Sequence, residues 1–381
     1  MILEGVLYLL CAGLSVPVLL LAIQVAMALP QHRPRDMPGG RRPRTAVLVP
    51  AHDEAAGIAD TLRSIAPQLA PGDQLLVVAD NCSDDTAAIA AAAGAEVIER
   101  RERELRGKGY ALALGVRYLQ KNRGQSPISD PEVLIVIDAD CRVSLGTIER
   151  LARAAAATGR PVQALYEMHA RPGGGLGEFA WLVKNHVRPL GYMRLGLPCQ
   201  LMGTGMAFPW RIVEADMLAS GHLAEDMALG LELARRGAPP LFYPEARVTS
   251  FFPESAGAAA QQRTRWEHGH LALILRAPRL AAQVLARGDV RLLAFALDLC
   301  VPPLALVFLL AAGLLALSWL FLLHLTILGA TVLLAWVGYG RKVVPLASLA
   351  CAPLYAAAKL PLYARFLVRR QVEWVRTRRG A

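Results

Sequence analysis

Apolar residues are massed near the two ends of the chain and broken into short runs between them. Gly5 to Pro30 is 26 residues without Asp, Glu, Lys or Arg, more than the roughly 20 that carry a helix across a bilayer. Glu4 precedes the run, and Arg33, Arg35, Arg41, Arg42 and Arg44 follow it, whereas a cleaved leader carries its basic residues first. The pattern predicts a retained anchor helix with the basic cluster on the cytoplasmic side. Leu299 to Gly340 is a second run, 42 residues without those four types, closed by Arg341 and Lys342. Its length predicts two spans with a turn near Ser318–His324. Val343 to Leu367 is apolar but holds Pro345, Pro353, Lys359, Pro361 and Arg365, and Arg369, Arg370, Arg376, Arg378 and Arg379 follow. Spanning here would place the basic tail outside. The favoured reading is an interfacial segment facing anionic lipid, with a further span as the other reading.

Between the ends the rhythm changes. Thr45–Pro50, Gln74–Asp80 and Val133–Asp138 are short aliphatic runs, the pattern of strands buried on both faces. Helical patterns separate them at about 55–66, 84–93 and 109–121, and alternation of this kind predicts a mostly parallel sheet with helices on both sides, an α/β fold. Ligands of such sheets bind beyond the carboxyl ends of the strands. Those ends carry Ala51-His52-Asp53-Glu54, then Asp80-Asn81-Cys82-Ser83-Asp84-Asp85, then Asp138-Ala139-Asp140. Three acidic clusters on one rim repel each other unless a cation or a donor-rich ligand sits among them. Asp138-x-Asp140 offers hard oxygen to Mg²⁺ or Mn²⁺, and a diphosphate would complete the coordination.

Composition narrows the classes. The 381 residues are 54% hydrophobic and 19% charged, with mean hydropathy +0.36, which excludes a disordered chain and argues against a wholly soluble one. Lys plus Arg is 41 and Asp plus Glu is 31, a net charge of +10. Much of the excess lies beside the apolar runs, so lipid and topology explain it more simply than nucleic acid does. Cys11, Cys82, Cys141, Cys199, Cys300 and Cys351 contain no C-x-x-C pair, so neither a zinc site nor a disulfide framework is indicated.

Further candidates follow the strand ends. Arg106-Gly107-Lys108-Gly109 opens a helix, either as a phosphate contact or as a basic turn. Gly203-Thr204-Gly205 lets a ligand approach the backbone closely. Glu225-Asp226 starts another helix, as cap or as general base. On a predicted helix, Gln262, Arg265, Trp266 and Gly269 share one face. The other reading of that helix is a basic interfacial one.

This order of motifs resembles the membrane-bound family 2 glycosyltransferases, the broad group containing cellulose, chitin and hyaluronan synthases and bacterial exopolysaccharide transferases. The resemblance covers about residues 45–275. It implies a GT-A-type domain (the nucleotide-diphospho-sugar transferase fold) and inverting, metal-dependent transfer of a hexosyl or N-acetylhexosaminyl group from a nucleotide sugar, often a UDP sugar. By that similarity Glu54 and Asp80 hold the nucleoside, Lys108 sits near the phosphates and Asp138 contacts the nucleotide. Asp140, with Asp138, holds Mg²⁺ or Mn²⁺. Asp226, beside Glu225, is the base, and Arg265 contacts the diphosphate. Gln262, Trp266, Gly203 and Thr204 shape the acceptor site. Two positions depart from the pattern: Asp53 stands where Asn is usual, and Ala224 where many processive synthases have Thr.

The expected organisation is an anchor at 1–30, a basic cytoplasmic linker at 31–44, a catalytic domain at 45–275, an amphipathic connection with two spans at 276–342 and an interfacial or further membrane segment with a basic tail at 343–381. The expected setting is the inner (plasma) membrane with the catalytic domain cytoplasmic. Expected partners are a nucleotide-sugar donor, a lipid-linked or glycan acceptor, the bilayer and polysaccharide-assembly subunits, and no nucleic acid. The favoured function is a membrane glycosyltransferase adding one or few sugars. Competing readings are a processive synthase secreting through its own helices and a non-catalytic scaffold of an export complex. A transporter would need more spans and intramembrane polar groups.

Overall fold

The computed structural model describes residues 2–102, 104–122, 130–170, 175–275, 282, 284–285 and 288–370. Along the chain come α1 (Ile2–Ala28), β1 (Thr45–Ala51), α2 (Ile58–Ile65), β2 (Gln74–Asp80), α3 (Thr86–Ala92), β3 (Glu96–Arg100), α4 (Lys108–Lys121), β4 (Val133–Val136), β5 (Arg142–Val143), α5 (Thr147–Thr158) and β6 (Val162–His169). Then follow α6 (Leu176–Leu182), a π-helical turn (Val183–Val187), α7 (Arg188–Arg194), β7 (Met206–Pro209), α8 (Ala215–Leu218), α9 (Glu225–Arg235) and β8 (Leu241–Phe251). The last described helices are α10 (Ala256–Ile274), α11 (Val290–Leu299), α12 (Leu304–Leu315), α13 (Phe321–Ala335, continued by π-helical Trp336–Gly340), α14 (Leu346–Leu349), α15 (Ala352–Ala357) and α16 (Leu360–Val368).

These elements form two compact units. One comprises Arg33–Glu167 and Cys199–Phe251; the other comprises the residues up to His32, Met168–Pro198 and those from Phe252 onward. The division is not the linear one expected from the sequence, because 168–198 and 252–275 belong with the apolar helices.

The first unit is built on an eight-stranded sheet in the order β3-β2-β1-β4-β7-β6-β8-β5. The three aliphatic runs become β2, β1 and β4, adjacent and parallel, with β3 parallel beyond β2. The other half departs from the expected mostly parallel sheet: β4–β7, β7–β6 and β8–β5 pair antiparallel. The sheet is therefore mixed. The core lies where α4 packs on it, and Gly115 of α4 is required there because a Cβ would fall 2.5 Å from Leu48 Cδ1. On α2, Ile58, Thr61, Leu62 and Ile65 are buried, the i, i+3, i+4, i+7 stripe of a surface helix.

The second unit is helical. α1 crosses α7 closely: a Cβ on Gly191 would lie 2.7 Å from the Gln24 carbonyl carbon. Beside that crossing, Arg188 donates to Gln24 Oε1 at 2.9 Å and to Asp298 Oδ1 at 2.8 Å, all three residues being buried. Arg194 donates to Met27 O at 2.7 Å. Among the described residues, Glu4–Ala28 and Phe321–Gly340 are helices long and apolar enough to cross a membrane. Of the two spans expected in 299–342, Phe321–Gly340 is long and apolar enough by itself, and the other stretch reaches that only as the bent pair of α11 and α12. α12 has 12 residues, about 18 Å at 1.5 Å per residue, and it meets α11 at a 73° bend. Pro302 and Pro303 sit at that break and stop helix continuation. In the segment after Val343, Pro345, Pro353 and Pro361 fall at the starts of α14, α15 and α16. None of the three is long enough to span. The residues beyond 370 lie outside the described chain.

Candidate active site

The carboxyl ends of β2, β1 and β4 lie side by side, so their acidic clusters share one rim. At the β1 and β2 ends, Asp53 and Asn81 have φ of 50° and 52°, a left-handed conformation in which Asn and Asp are enriched. Asp53 Oδ1 accepts from the backbone and hydroxyl of Ser83. Asn81 Oδ1 accepts from Glu102 N at 2.7 Å, and its amide donates to Asp80 Oδ1 at 2.9 Å. Arg100, from the end of β3, donates to the same oxygen at 2.7 Å. Asp80 is thus a buried carboxylate in an ion pair, and His52 Nδ1 lies 2.6 Å from its carbonyl oxygen. Glu54 is half-buried, its backbone N donating to Thr86 Oγ1 at 2.8 Å.

Beyond β4 the chain turns through Asp138-Ala139-Asp140, and two threonines fix that turn. Thr61 Oγ1 donates to Ala139 O at 2.7 Å, and Thr204 Oγ1 accepts from Asp138 N at 3.0 Å. Thr204 is fully buried, so its side chain braces the turn and presents no surface to an acceptor, contrary to the role expected from the sequence. Gln163 of β6, also fully buried, donates to Thr204 O at 2.9 Å and accepts from Met202 N at 2.8 Å. It clamps the Gly-Thr-Gly segment from behind. Below the turn, Cys141 is buried among these groups, and burial pushes its thiol up to about 12.

The functional groups converge on Gly203. Lys108, first residue of α4, donates to Gly203 O at 2.6 Å and forms an ion pair with Asp138. A Cβ built on Gly203, whose φ is +90°, would lie 3.4 Å from Asp226 Oδ2 and 3.6 Å from Lys108 Nζ. A side chain here would fill the space between lysine and carboxylate. Asp226 and Glu225 occupy the first turn of α9, where the helix dipole favours negative charge. Burial draws the Lys108 ammonium down, but the Asp138, Glu225 and Asp226 carboxylates outweigh it and hold it above its usual value. Lys108 is 16% exposed, so Arg-Gly-Lys-Gly is not an exposed basic turn. Gly107 has φ +131°, and a Cβ on Gly109 would press on Leu218 O and lie 2.5 Å from Ser220 O.

The structure therefore gathers Lys108, Asp138, Gly203, Glu225 and Asp226, with Asp140 on the turn beside them. Gln262, Arg265 and Trp266 lie on α10 in the helical unit. Arg100, Thr61 and Gln163 were not anticipated. A lone Gln inside the apolar run Val162–Tyr166 was the one available signal for Gln163. Among the described residues, three ligand-type side chains lie close enough to share an ion at Asp53, Cys82 and Asp84. Their atoms serve the loop itself: Asp84 accepts from Ala55 N and Thr86 N at 3.1 Å, and Cys82 Sγ accepts from Asp53 N at 3.4 Å.

The mixed α/β sheet carries carboxylates at its strand ends, with a half-buried lysine at the start of α4 beside them. A family profile described as "Glycosyltransferase like family 2" matches residues 43–269, more than half of the 381 residues. The chain belongs to this family and is a glycosyltransferase of the family 2 type. Among solved structures it is similar to mannosyltransferase PcManGT from Pyrobaculum calidifontis, in complex with GDP-Man and Mn2+, at 19% identity over 96% of this chain and 95% of that one, with TM-score 0.54. Mannosyl-3-phosphoglycerate synthase from Rubrobacter xylanophilus is 19% identical over 62% of this chain and 76% of that one, with TM-score 0.40. The first likeness is one of fold, and the second is too loose to extend it. No curated protein matches.

Proposed function

We propose that the protein is an inverting, divalent-metal-dependent membrane glycosyltransferase. It moves a hexosyl or N-acetylhexosaminyl group from a nucleotide-diphosphate sugar to a lipid-linked or membrane-associated glycan acceptor, in polysaccharide or glycolipid synthesis. The observation that carries the reading is the convergence of Lys108, Asp138 and Asp226 around Gly203. Displacement at an anomeric carbon builds negative charge on the leaving diphosphate, and the half-buried Lys108 ammonium, held cationic by its neighbours, meets that charge. Asp226 takes the proton of the acceptor hydroxyl, a contribution of roughly 10²–10⁴-fold. In a one-step displacement base and leaving group stand on opposite faces of the sugar, so the configuration inverts.

Asp138 and Asp140 fit a hard divalent ion such as Mg²⁺ or Mn²⁺: two carboxylates one residue apart, on a turn that Thr61 and Thr204 hold in place. When bound, the ion neutralises diphosphate charge. Glu54 and the Arg100-braced Asp80 form the nucleoside end. Arg265 is assigned to the diphosphate and Gln262, Trp266 and Gly203 to the acceptor. UDP sugars are the first donors to test, and the GDP-Man complex of PcManGT adds GDP sugars to the panel.

The membrane assignment is supported by the exposed apolar surface of the helical unit, including Leu9, Leu19 and Ile23 on α1 and Leu322, Leu323 and Leu334 on α13. Surface of this kind seeks lipid or a partner. By the charge rule, the basic linker 33–44 supports a cytoplasmic sheet unit.

The test is release of nucleoside diphosphate by detergent-purified protein, with Mn²⁺ or Mg²⁺ and a panel of nucleotide sugars, with and without membrane-lipid extract. One donor turned over faster when lipid is added is the expected result. Lipid-independent release with accumulating polymer identifies a processive synthase. Absence of release with every donor, with nucleotide binding also absent, identifies a scaffold.

A further inference from the structure

α10 carries Arg265 and Trp266, and the residues that follow them fasten this helix to the rest of the helical unit. Lys359, the residue before α16, donates from Nζ to Glu267 Oε1 at 2.6 Å. His268 Nε2 donates to Leu362 O of α16 at 3.0 Å, and His270 Nε2 donates to Leu299 O of α11 at 3.0 Å. Glu267, His268, His270 and Lys359 are all buried. Lys359 Nζ also stands 5.0 Å from the centre of the Tyr355 ring of α15, and the Arg263 guanidinium of α10 stands 5.8 Å from the same ring. The short helices after Val343 are therefore the seat of α10. Glu267 is two residues beyond Arg265, about 200° further round the helix. Its bond to Lys359 holds the side of α10 that faces away from Arg265.

We infer that Glu267 and Lys359 are positioning residues of the transfer: their buried ion pair sets the rotation of α10 about its axis, and through it the approach of Arg265 to the diphosphate. A charge-assisted hydrogen bond is short and directional, so it fixes rotation more narrowly than apolar packing does. A buried pair adds little stability over two well-packed apolar side chains, so geometry is what this one supplies. The inference rests on the functional reading above, in which Arg265 meets the diphosphate.

The experiment uses full-length protein in detergent with Mn²⁺ and compares its affinity for UDP with that for UMP, with GDP and GMP as a second pair. The preference for diphosphate reports the contacts to the outer phosphate. Glu267→Leu combined with Lys359→Met removes both charges together and leaves no buried charge alone. The preference should fall at least about threefold in this double variant and in Arg265→Gln, and the triple variant should fall no further than Arg265→Gln, because the pair acts through Arg265. Monophosphate affinity within about twofold of wild type reports an intact sheet unit and separates positioning from loss of structure. An unchanged preference in the double variant overturns the inference. So does a further fall in the triple variant, or a matching loss of monophosphate affinity. A wild-type protein that does not prefer diphosphate overturns the functional reading, and the inference falls with it; a wild-type preference that the double variant retains overturns the inference alone.

Discussion

At the scale of single residues, the candidate site depends on backbone as much as on charge. Asp53 departs from the family's usual Asn, and its positive φ and acceptor role toward Ser83 explain why the exchange is tolerated. Both residues adopt that conformation, and both carry the oxygen that Ser83 needs. Gly109 shows the opposite case, a position open to one residue. A Cβ there would fall 2.5 Å from Ser220 O and 2.9 Å from Ser220 N, and backbone cannot swing aside as a side-chain tip can. Gly109→Ala should cost about 1–3 kcal/mol in denaturant unfolding and weaken donor affinity by displacing Lys108. Wild-type stability and affinity would show that α4 does not need this close approach. Glu54, Asp80, Asp138 and Asp140 were legible in the sequence because they end or follow strands that announce themselves. The bracing by Arg100 and Gln163 was not, since each acts through a partner far away in sequence.

At the scale of elements, legibility followed the uniformity of the runs. β1, β2 and β4 are apolar between their end residues and buried on both faces, so they read clearly. β3 (Glu-Val-Ile-Glu-Arg) is mostly polar and lies at a sheet edge, β5 has two residues and β7 has four. Those lengths carry little periodicity, and the antiparallel half of the sheet was lost with them. The segment Met168–Pro198 was obscured for another reason. Its charges interrupt the apolar pattern, and their partners Gln24, Met27 and Asp298 come from α1 and α11. This makes a test. Asp298→Asn leaves the buried Arg188 guanidinium without its counter-charge, and removing one member of a buried pair typically costs about 3–5 kcal/mol. Thermal unfolding of the helical unit should show a loss of that order, and Asp298→Leu with Arg188→Met should recover much of it. A single variant as stable as wild type would mean that water or another carboxylate already serves Arg188.

At the scale of the whole chain, hydropathy forecast the apolar ends but not how the second run is divided. The Pro302–Pro303 pair sits where α11 and α12 bend by 73°, and Phe321–Gly340 is the long helix of that run. The protein should remain in the membrane fraction after an alkaline carbonate wash and leave it only with detergent. Release by carbonate alone would contradict integral insertion and leave the exposed leucines to a protein partner.

The central claim is that Asp226 is the base of a glycosyl transfer whose donor is held by Lys108 and the strand-end carboxylates. Asp226→Asn tests it most directly, with donor affinity and transfer rate measured on the same preparation. The account predicts donor affinity within about threefold of wild type and a transfer rate lowered by roughly 10²–10⁴-fold. Transfer near the wild-type rate with donor affinity intact would contradict it.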